Sequence, residues 1–472
     1  MGNCCKKRLQ QINNDTSSKD ISSENKIFHN DIDKNKKKGK NIILNKNKNK
    51  NFGKNENIKN NCNEQGNNYN KIFVVNNSSD QSSLYKIDEK SNSSDIISSS
   101  SSNEEILIGL ENIGATCYMN ATIQCLFNTK KLTKYFLTKY NNNDSSKIIS
   151  NEFYILLKNL WDEKNYRNIP YSPKRFKDII SQENSLFEGV QANDSRDLIN
   201  FLLERMHQEL NEINENFNFN DMNNNNNILS NSNIQLDKEK IFQIFGNNYA
   251  KNYNSIISNL FYGINETAYQ CQLCKRIKYN YEIYFLLEFP LEQVNIFCGR
   301  VQNNSLIYNQ FNQFNQFNQN INMNNPDINL NDCFEYYRKT DLMTGENAMY
   351  CNFCQINCNS FYSTSLYTLP NYLILILNRG KGNSYKCKVN FPEILDLSHY
   401  VIRKESGYMY DLYGVICHLG PSSMGGHFIA FCRHRINNNW YKYNDAEVTK
   451  CENKDFLSGI PYILFYQQIN VL

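Results

Sequence analysis

Three residues far apart in the chain have the types that thiol chemistry needs. Cys117 lies in GLENIGATCYMNATIQCLF, residues 109–127, after a Gly-containing turn and at the start of a stretch in which Met119, Ile123, Leu126 and Phe127 recur at helical spacing. A helix N-terminus favours the thiolate, the reactive form of cysteine, because the macrodipole places partial positive charge there. The same local spacing fits a buried packing cysteine equally well. A base is available in GGHFIAFCRHRINNNWYKYND, residues 425–445, where His427 opens one strand-like run and Asn444 closes another. A hairpin pairing 427 with 444 has its midpoint between 435 and 436, inside the polar turn 435–439, and brings the two side chains together. Asn444 then accepts a hydrogen bond from one imidazole nitrogen and leaves the other to the thiol, while Asp445 points to the opposite face. His418 and His434 are read as structural; His427 is set apart by its flanking Gly425 and Gly426.

Four further cysteines form two C-x2-C pairs, Cys271 with Cys274 and Cys351 with Cys354. Four thiolates complete a tetrahedral zinc shell with no open position, so the expected metal is one structural zinc per chain. Cys358 is a spare thiol nearby, read as a packing or free cysteine. A nucleic-acid zinc finger is the competing use of such a set, and the charge distribution argues against it. Residues 1–60 hold 15 basic and 6 acidic side chains, so the rest of the chain is net acidic although the whole carries +4.

The elements that must position these groups begin late. Residues 1–105 are dense in Asn, Lys and Ser and bury too little apolar surface to offset chain entropy; they are expected to be a disordered basic tail. Regular patterning starts at Ile106 and is interrupted by Asn-rich stretches near 212–236 and 302–330, both read as flexible insertions. Residues 194–210 carry a second helical repeat, with Leu198, Leu202, Met206 and Leu210. The C-terminal third instead holds short aromatic or β-branched runs at 373–377, 412–417, 428–432 and 462–466. Helices first and strands later predict an α+β fold. A hydrophobic fraction of 40% supports a sizeable core, and no apolar run approaches the roughly 18–20 residues of a membrane span. The chain opens without a secretory signal, so its 16 cysteines are expected in a reducing compartment, where metal binding and thiol chemistry outweigh disulfides.

The stretches GLENIGATCYMNATIQCL and GGHFIAFCRH…WYKYNDAEV resemble the cysteine and histidine boxes of the ubiquitin-specific proteases, in the family's order. YCNFC, LYTLPNYLILIL, NFPEILDLSHY and YILFYQ extend the resemblance over 106–468. It implies a papain-like fold of thumb, palm and zinc-ribbon fingers, with Cys117 as nucleophile, His427 as general base and then acid, and Asn444 as the orienting residue. It further makes Asn112 an oxyanion-hole donor and the chain a deubiquitinase, cutting the (iso)peptide bond at the ubiquitin C-terminus through a thioester. Ubiquitin and ubiquitinated proteins are the implied partners. Asp194 and Asp197 match the family's acidic helix and could pair with arginines of the ubiquitin tail; both also suit a helix start, Asp194 as N-cap and Asp197 in the first turn. The sequence departs from the family at Asn378-Arg379-Gly380, where Lys-Arg-Phe is usual, and in the two insertions. Two other readings are a catalytically silent ubiquitin-binding scaffold and a protease for another ubiquitin-like modifier.

The first eight residues, MGNCCKKR, carry a separate signal. Gly2 is a candidate for myristoylation and Cys4 and Cys5 for palmitoylation, next to a basic cluster suited to an anionic membrane face, although position 6 is Lys where the motif prefers Ser or Thr. A cytoplasmic location with this N-terminal anchor is the expectation.

Overall fold

The computed structural model describes residues 107–161, 169–212, 237–299, 327–380, 385–403, 407–420, 426–452 and 455–469. The basic tail with Gly2, Cys4 and Cys5, and nearly all of both insertions, lie outside the described residues. One boundary is corrected: Ile328–Asn329 forms a strand and Leu330 starts a helix, so the second insertion ends before 328 rather than at 330.

Helices come first: α1 Cys117–Phe127, α2 Lys130–Thr138, α3 Ile148–Trp161, α4 Lys174–Glu183, α5 Ser195–Leu210, α6 Lys238–Asn252 and α7 Ile256–Phe261. All but α6, which lies against the fingers, form the thumb. Every residue of α1 is buried, the condition of a helix enclosed on all sides. Its polar members are satisfied by the segment leading into it, since Asn120 Nδ2 donates to the carbonyls of Leu110 (3.2 Å) and Glu111 (3.1 Å) and Gln124 Nε2 to that of Ile108 (3.0 Å).

The fingers are built from β1 Gly263–Cys271, β2 Ile277–Tyr284, β5 Thr340–Met343 and β8 Ser360–Thr368 in the order β2-β1-β8-β5, with the small hairpin of β6 Met349–Cys351 and β7 Ile356–Cys358. β3 Leu287–Pro290 joins the palm. The short β4 Ile328–Asn329, ahead of helix α8 Leu330–Tyr337, pairs in parallel with β10 Val389–Asn390.

The palm sheet runs β15-β14-β13-β12-β16-β9-β3, from β9 Tyr372–Asn378, β12 Met409–Leu419, β13 His427–Arg433, β14 Trp440–Asn444, β15 Glu447–Cys451 and β16 Ile460–Gln468, with β11 Ile394–Asp396 added to β12. Its centre is buried on both faces, which explains the unbroken apolar run of β9. Tyr372, Ile374 and Ile376 join the core shared with the thumb, while Leu373, Leu375 and Leu377 join a second core on the far side with α8. Arg379 follows β9 fully buried, donating to the backbone carbonyls of Pro461, Tyr385 and Cys387. The departure from the family pattern at 378–380 therefore keeps a structural arginine that pins the chain beyond β9.

α1 packs on β13, where the sulfurs of Cys125 and Cys432 lie 3.5 Å apart. The lead-in to α1 crosses the turn after β14: Leu110 N donates to the Asp445 carbonyl at 2.8 Å, and a Cβ on Gly109 would meet the Ala446 carbonyl oxygen at 2.3 Å. Only glycine permits that approach. The lead-in to Cys117 on the thumb and the end of the His427–Asn444 hairpin on the palm are thus fixed to one another through backbone.

Candidate active site

Cys117 is the first residue of α1, almost buried at 5% exposure. The turn before it uses Gly114 at φ 121° and Ala115 at φ 48°. The Asn112 side chain organises this turn: its Oδ1 accepts from the backbone of Gly114 (3.3 Å) and Thr116 (3.0 Å). Its Nδ2 donates to Asp445 Oδ2 at 2.9 Å, which leaves the second donor of that amide for a developing oxyanion.

His427 opens β13 and Asn444 closes β14, as expected, and the His427 Nε2 to Asn444 Oδ1 distance is 2.6 Å. The expected register is corrected. Ala430 pairs with Tyr443 and Arg433 with Trp440, so the midpoint falls between 436 and 437 and 427 is not opposite 444. The cause is the turn, in which Asn438 takes φ 57° and its N–H bonds to the His434 carbonyl while His434 N bonds to Asn439 O. A slip of two preserves side-chain parity, so His427 and Asn444 still share a face and meet diagonally.

The orientation expected for Asp445 is also corrected. Alternation would send it to the opposite face, but β14 ends at Asn444 and Asp445 takes φ 51°, which turns its carboxylate into the site. Asp and Asn enter this left-handed region more readily than most residues, so the pair YND was the available signal. Its two oxygens accept from Asn112 (2.9 Å) and Asn120 (2.8 Å), and Oδ2 lies 3.8 Å from His427 Nε2. Asn120, three residues into the helix, is a member of the site that pattern reading missed. Removing a buried hydrogen bond to a charged group costs about 1.5–3 kcal/mol and a neutral one about 1 kcal/mol. Asp445→Ala, which removes the acceptor shared by Asn112 and Asn120, is expected to lower kcat by about 100-fold and Asn444→Ala by about tenfold. Steady-state kinetics on both variants decides; equal losses would contradict this assignment.

A hydrogen bond with the Cys117 sulfur, helped by Asn444, pushes His427 up to about 9 against the opposing effect of burial. The imidazole therefore keeps its proton at neutral pH. Folding raises this pKa from 6.5, so the associated stabilisation is complete below pH 6.5 and is lost as pH rises through about 9. The His427 ring proton, followed by NMR, should titrate near 9 in the native chain and near the ordinary 6.5 in Cys117→Ser; an unchanged midpoint would remove the sulfur as the cause. His418, opposite Phe428 in the next strand, is buried with neither ring nitrogen hydrogen-bonded, and burial lowers its pKa, so it remains neutral.

Asp194 caps α5, accepting from Arg196 N at 2.8 Å, and both its oxygens accept from Tyr462 OH. Asp197 lies in the first turn, 3.2 Å from Arg196 Nε, with a side chain 37% exposed; Arg196 in turn reaches Glu288 at 3.0 Å. The capping role of Asp194 is thus occupied, and Asp197 is the more open of the two carboxylates.

The four cysteines converge at the tip of the fingers, with all four sulfurs within 4.8 Å of one another. Cys271 and Cys354 are 4.0 Å apart and Cys274 and Cys351 3.7 Å. A tetrahedron with metal–sulfur bonds of about 2.3 Å has sulfur–sulfur edges of about 3.8 Å, so the cluster fits a zinc-sized ion. The two knuckles match: Lys275 and Gln355, each following the second cysteine of its pair, take φ 63° and 58°, and each N–H bonds back to the first cysteine's carbonyl. Cys358 is outside the four-cysteine set, a spare thiol that lies beside Cys271 and Cys354.

The family profile described as ubiquitin carboxyl-terminal hydrolase matches residues 108–466. Ubiquitin carboxyl-terminal hydrolase 2 of Bos taurus is 26% identical over 373 residues, covering 76% of this chain and 55% of the relative. Ubiquitin carboxyl-terminal hydrolase 4 of Saccharomyces cerevisiae is 26% identical over 417 residues, 79% of this chain and 41% of the relative. The chain thus spans about half the length of the curated relatives it matches. Among solved structures, a SAGA DUB module of Ubp8, Sgf11, Sus1 and Sgf73 bound to monoubiquitin aligns with a TM-score of 0.53 at 18% identity, over 78% of this chain and 70% of that one. That likeness supports the thumb, palm and fingers arrangement.

Proposed function

The chain belongs to the ubiquitin carboxyl-terminal hydrolase family, and from that premise we propose that it is a deubiquitinating cysteine protease acting on ubiquitin and ubiquitinated proteins. One observation carries the reading: a cysteine at a helix start and a histidine that shares a hydrogen bond with its sulfur and is held on its other nitrogen by an asparagine. A scaffold that only bound ubiquitin would have no need of this set.

In the proposed reaction Cys117 Sγ attacks the carbonyl carbon of ubiquitin's last residue. Asn112 donates to the oxyanion, and Asp445 keeps its amide in place. Collapse of the tetrahedral species breaks the carbon–nitrogen bond; His427 gives its proton to the leaving amine, and a thioester remains. Water then attacks the thioester, His427 takes a proton from it as the sulfur departs, and ubiquitin is released with a free C-terminal carboxyl group, which ionises in water. Asn444 holds the ring through both steps without exchanging protons itself. Asp197, more than Asp194, is the carboxylate placed to pair with an arginine of the substrate tail. An electrophile attached to the ubiquitin C-terminus tests the reading: it should label Cys117. Labelling only by a different ubiquitin-like modifier would redirect the substrate.

Zinc in the four-cysteine cluster would serve structure alone, tying β1, β6 and the two knuckles together with no coordination position left for substrate. The N-terminus supports attachment to a cytoplasmic membrane face, because a myristoyl chain alone binds at only about 10⁴ M⁻¹ and Cys4, Cys5 and the basic run offer second signals. Gly2→Ala should move the protein into the soluble fraction on cell fractionation; equal distribution of variant and wild type would refute the anchor.

A further inference from the structure

Asp197 is partly open, but it is not free. Ser195 Oγ donates to the carbonyl of Tyr118 at 3.1 Å, so the start of α5 stands beside the residue that follows Cys117. From there the Arg196 side chain reaches across to the palm. Its Nε lies 3.2 Å from Asp197 Oδ1 and its Nη1 3.0 Å from Glu288 Oε1 on β3, so one guanidinium joins a thumb carboxylate to a palm carboxylate. Among the described residues no other cation pairs with either acid. Adjacent residues on a helix do not face one another, so Arg196 meets Asp197 only by lying across the first turn.

The side chains of Arg196, Asp197 and Glu288 are 27%, 37% and 29% exposed, so water and an incoming ligand reach the pair. An ion pair this open is weak and exchanges readily. Glu288 gives the arginine a second anchor. Asn378, standing where the family usually has Lys, offers Glu288 an amide donor but no charge, and Arg196 is the cation that compensates it. Burial opposes the Arg196 charge, yet the Tyr462, Glu288, Asp194 and Asp197 groups around it more than offset this and keep the guanidinium protonated. A substrate arginine arriving at Asp197 therefore meets a carboxylate that already holds a guanidinium, and that guanidinium has another acid to retire to.

We propose that Arg196 is an internal competitor for the substrate's tail arginine: it occupies Asp197 in the free enzyme, withdraws to Glu288 when the tail binds, and so makes the enzyme less dependent on that arginine than Asp197 alone would. The inference rests on the deubiquitinase reading, with Asp197 as the tail-binding carboxylate. The test uses the full chain and two C-terminal amide reporters, one of ubiquitin and one of ubiquitin with its tail arginines replaced by alanine. Arg196→Gln should lower KM for the first about threefold and barely move it for the second, so that the ratio of the two kcat/KM values rises about threefold. Glu288→Gln should lower that ratio, because Arg196 is then left with Asp197 alone. The double variant should match Arg196→Gln, since Glu288 acts through the arginine. Unchanged melting midpoints qualify the variants, and Glu288→Gln carries the test if Arg196→Gln is unstable. Were Arg196 a strut between thumb and palm, both single variants would lower kcat/KM for both reporters together, and that result overturns the proposal. So does an unchanged ratio, or a gain in Arg196→Gln that disappears in the double variant, which would give the substrate arginine to Glu288. A wild type that hydrolyses neither reporter would refute the deubiquitinase reading itself, and the competitor with it.

Discussion

Replacement of Cys117 by alanine is expected to abolish both labelling by a ubiquitin-linked electrophile and cleavage of ubiquitin chains, a loss of roughly 10⁴-fold or more in kcat. The site contains no second sulfur able to take its place. Cys125, the other cysteine on α1, is fully buried against Cys432, and burial together with that neighbour raises its pKa well above the usual thiol range. His427→Ala should be nearly as damaging, because the same ring both holds the thiol's proton and delivers it to the leaving amine. Binding should survive in both variants, since the elements that contact a ubiquitin tail are untouched. A Cys117→Ala protein that still cleaves chains would end the thiol mechanism. One that no longer binds ubiquitin would show instead that the substitution disturbed α1.

The second large effect is expected at the fingers. Protein purified without added metal should contain about one zinc per chain, and Cys351→Ser should contain essentially none. Structural zinc contributes apparent binding free energies of about 10–16 kcal/mol in small ribbons, far more than the few exposed apolar contacts of this tip can supply. Loss of metal should therefore unfold the knuckles and lower the first thermal transition, while the thumb and palm, with cores of their own, persist. Kinetically the loss should fall on KM more than on kcat, because Cys117 and His427 belong to other elements. Elemental analysis with melting curves checks this; a zinc-free native protein with full activity would refute it.

Much of this was legible in the sequence for specific reasons. α1 and α5 were visible because their apolar residues recur at three and four, and β9 because its apolar run is unbroken. The zinc cluster was legible because a C-x2-C pair fixes two ligands by local geometry alone. The hairpin reading found the right partners from the wrong register: period-two alternation survives a slip of two, so the His427 and Asn444 contact did not depend on the exact turn. Asp445 was misread because alternation stops where a strand stops, and a single positive φ decides that end. Asn120 was missed because an asparagine within an apolar helical repeat looks like an interruption; only the fold shows it gathering the lead-in carbonyls and the Asp445 carboxylate.

The place of β16 in the palm sheet sets a schedule for the protein's birth. It lies between β12 and β9, near the middle of the sheet, yet it is the last strand to be made. At about 5–20 residues per second, roughly 20–70 s separate synthesis of Cys117 from that of Gln468. Throughout that interval α1 has no completed sheet to enclose its apolar surface, and β9 and β12, once made, have no neighbour between them. His427 and Asn444 are themselves made only shortly before β16. The nascent chain therefore carries Cys117 early and His427 late, so the two side chains cannot meet until the hairpin that ends at Asn444 has been made. It also exposes the apolar helix for roughly 20–70 s, and the edges of β9 and β12 for about the last 5–20 s, to the chaperones that recognise such surfaces.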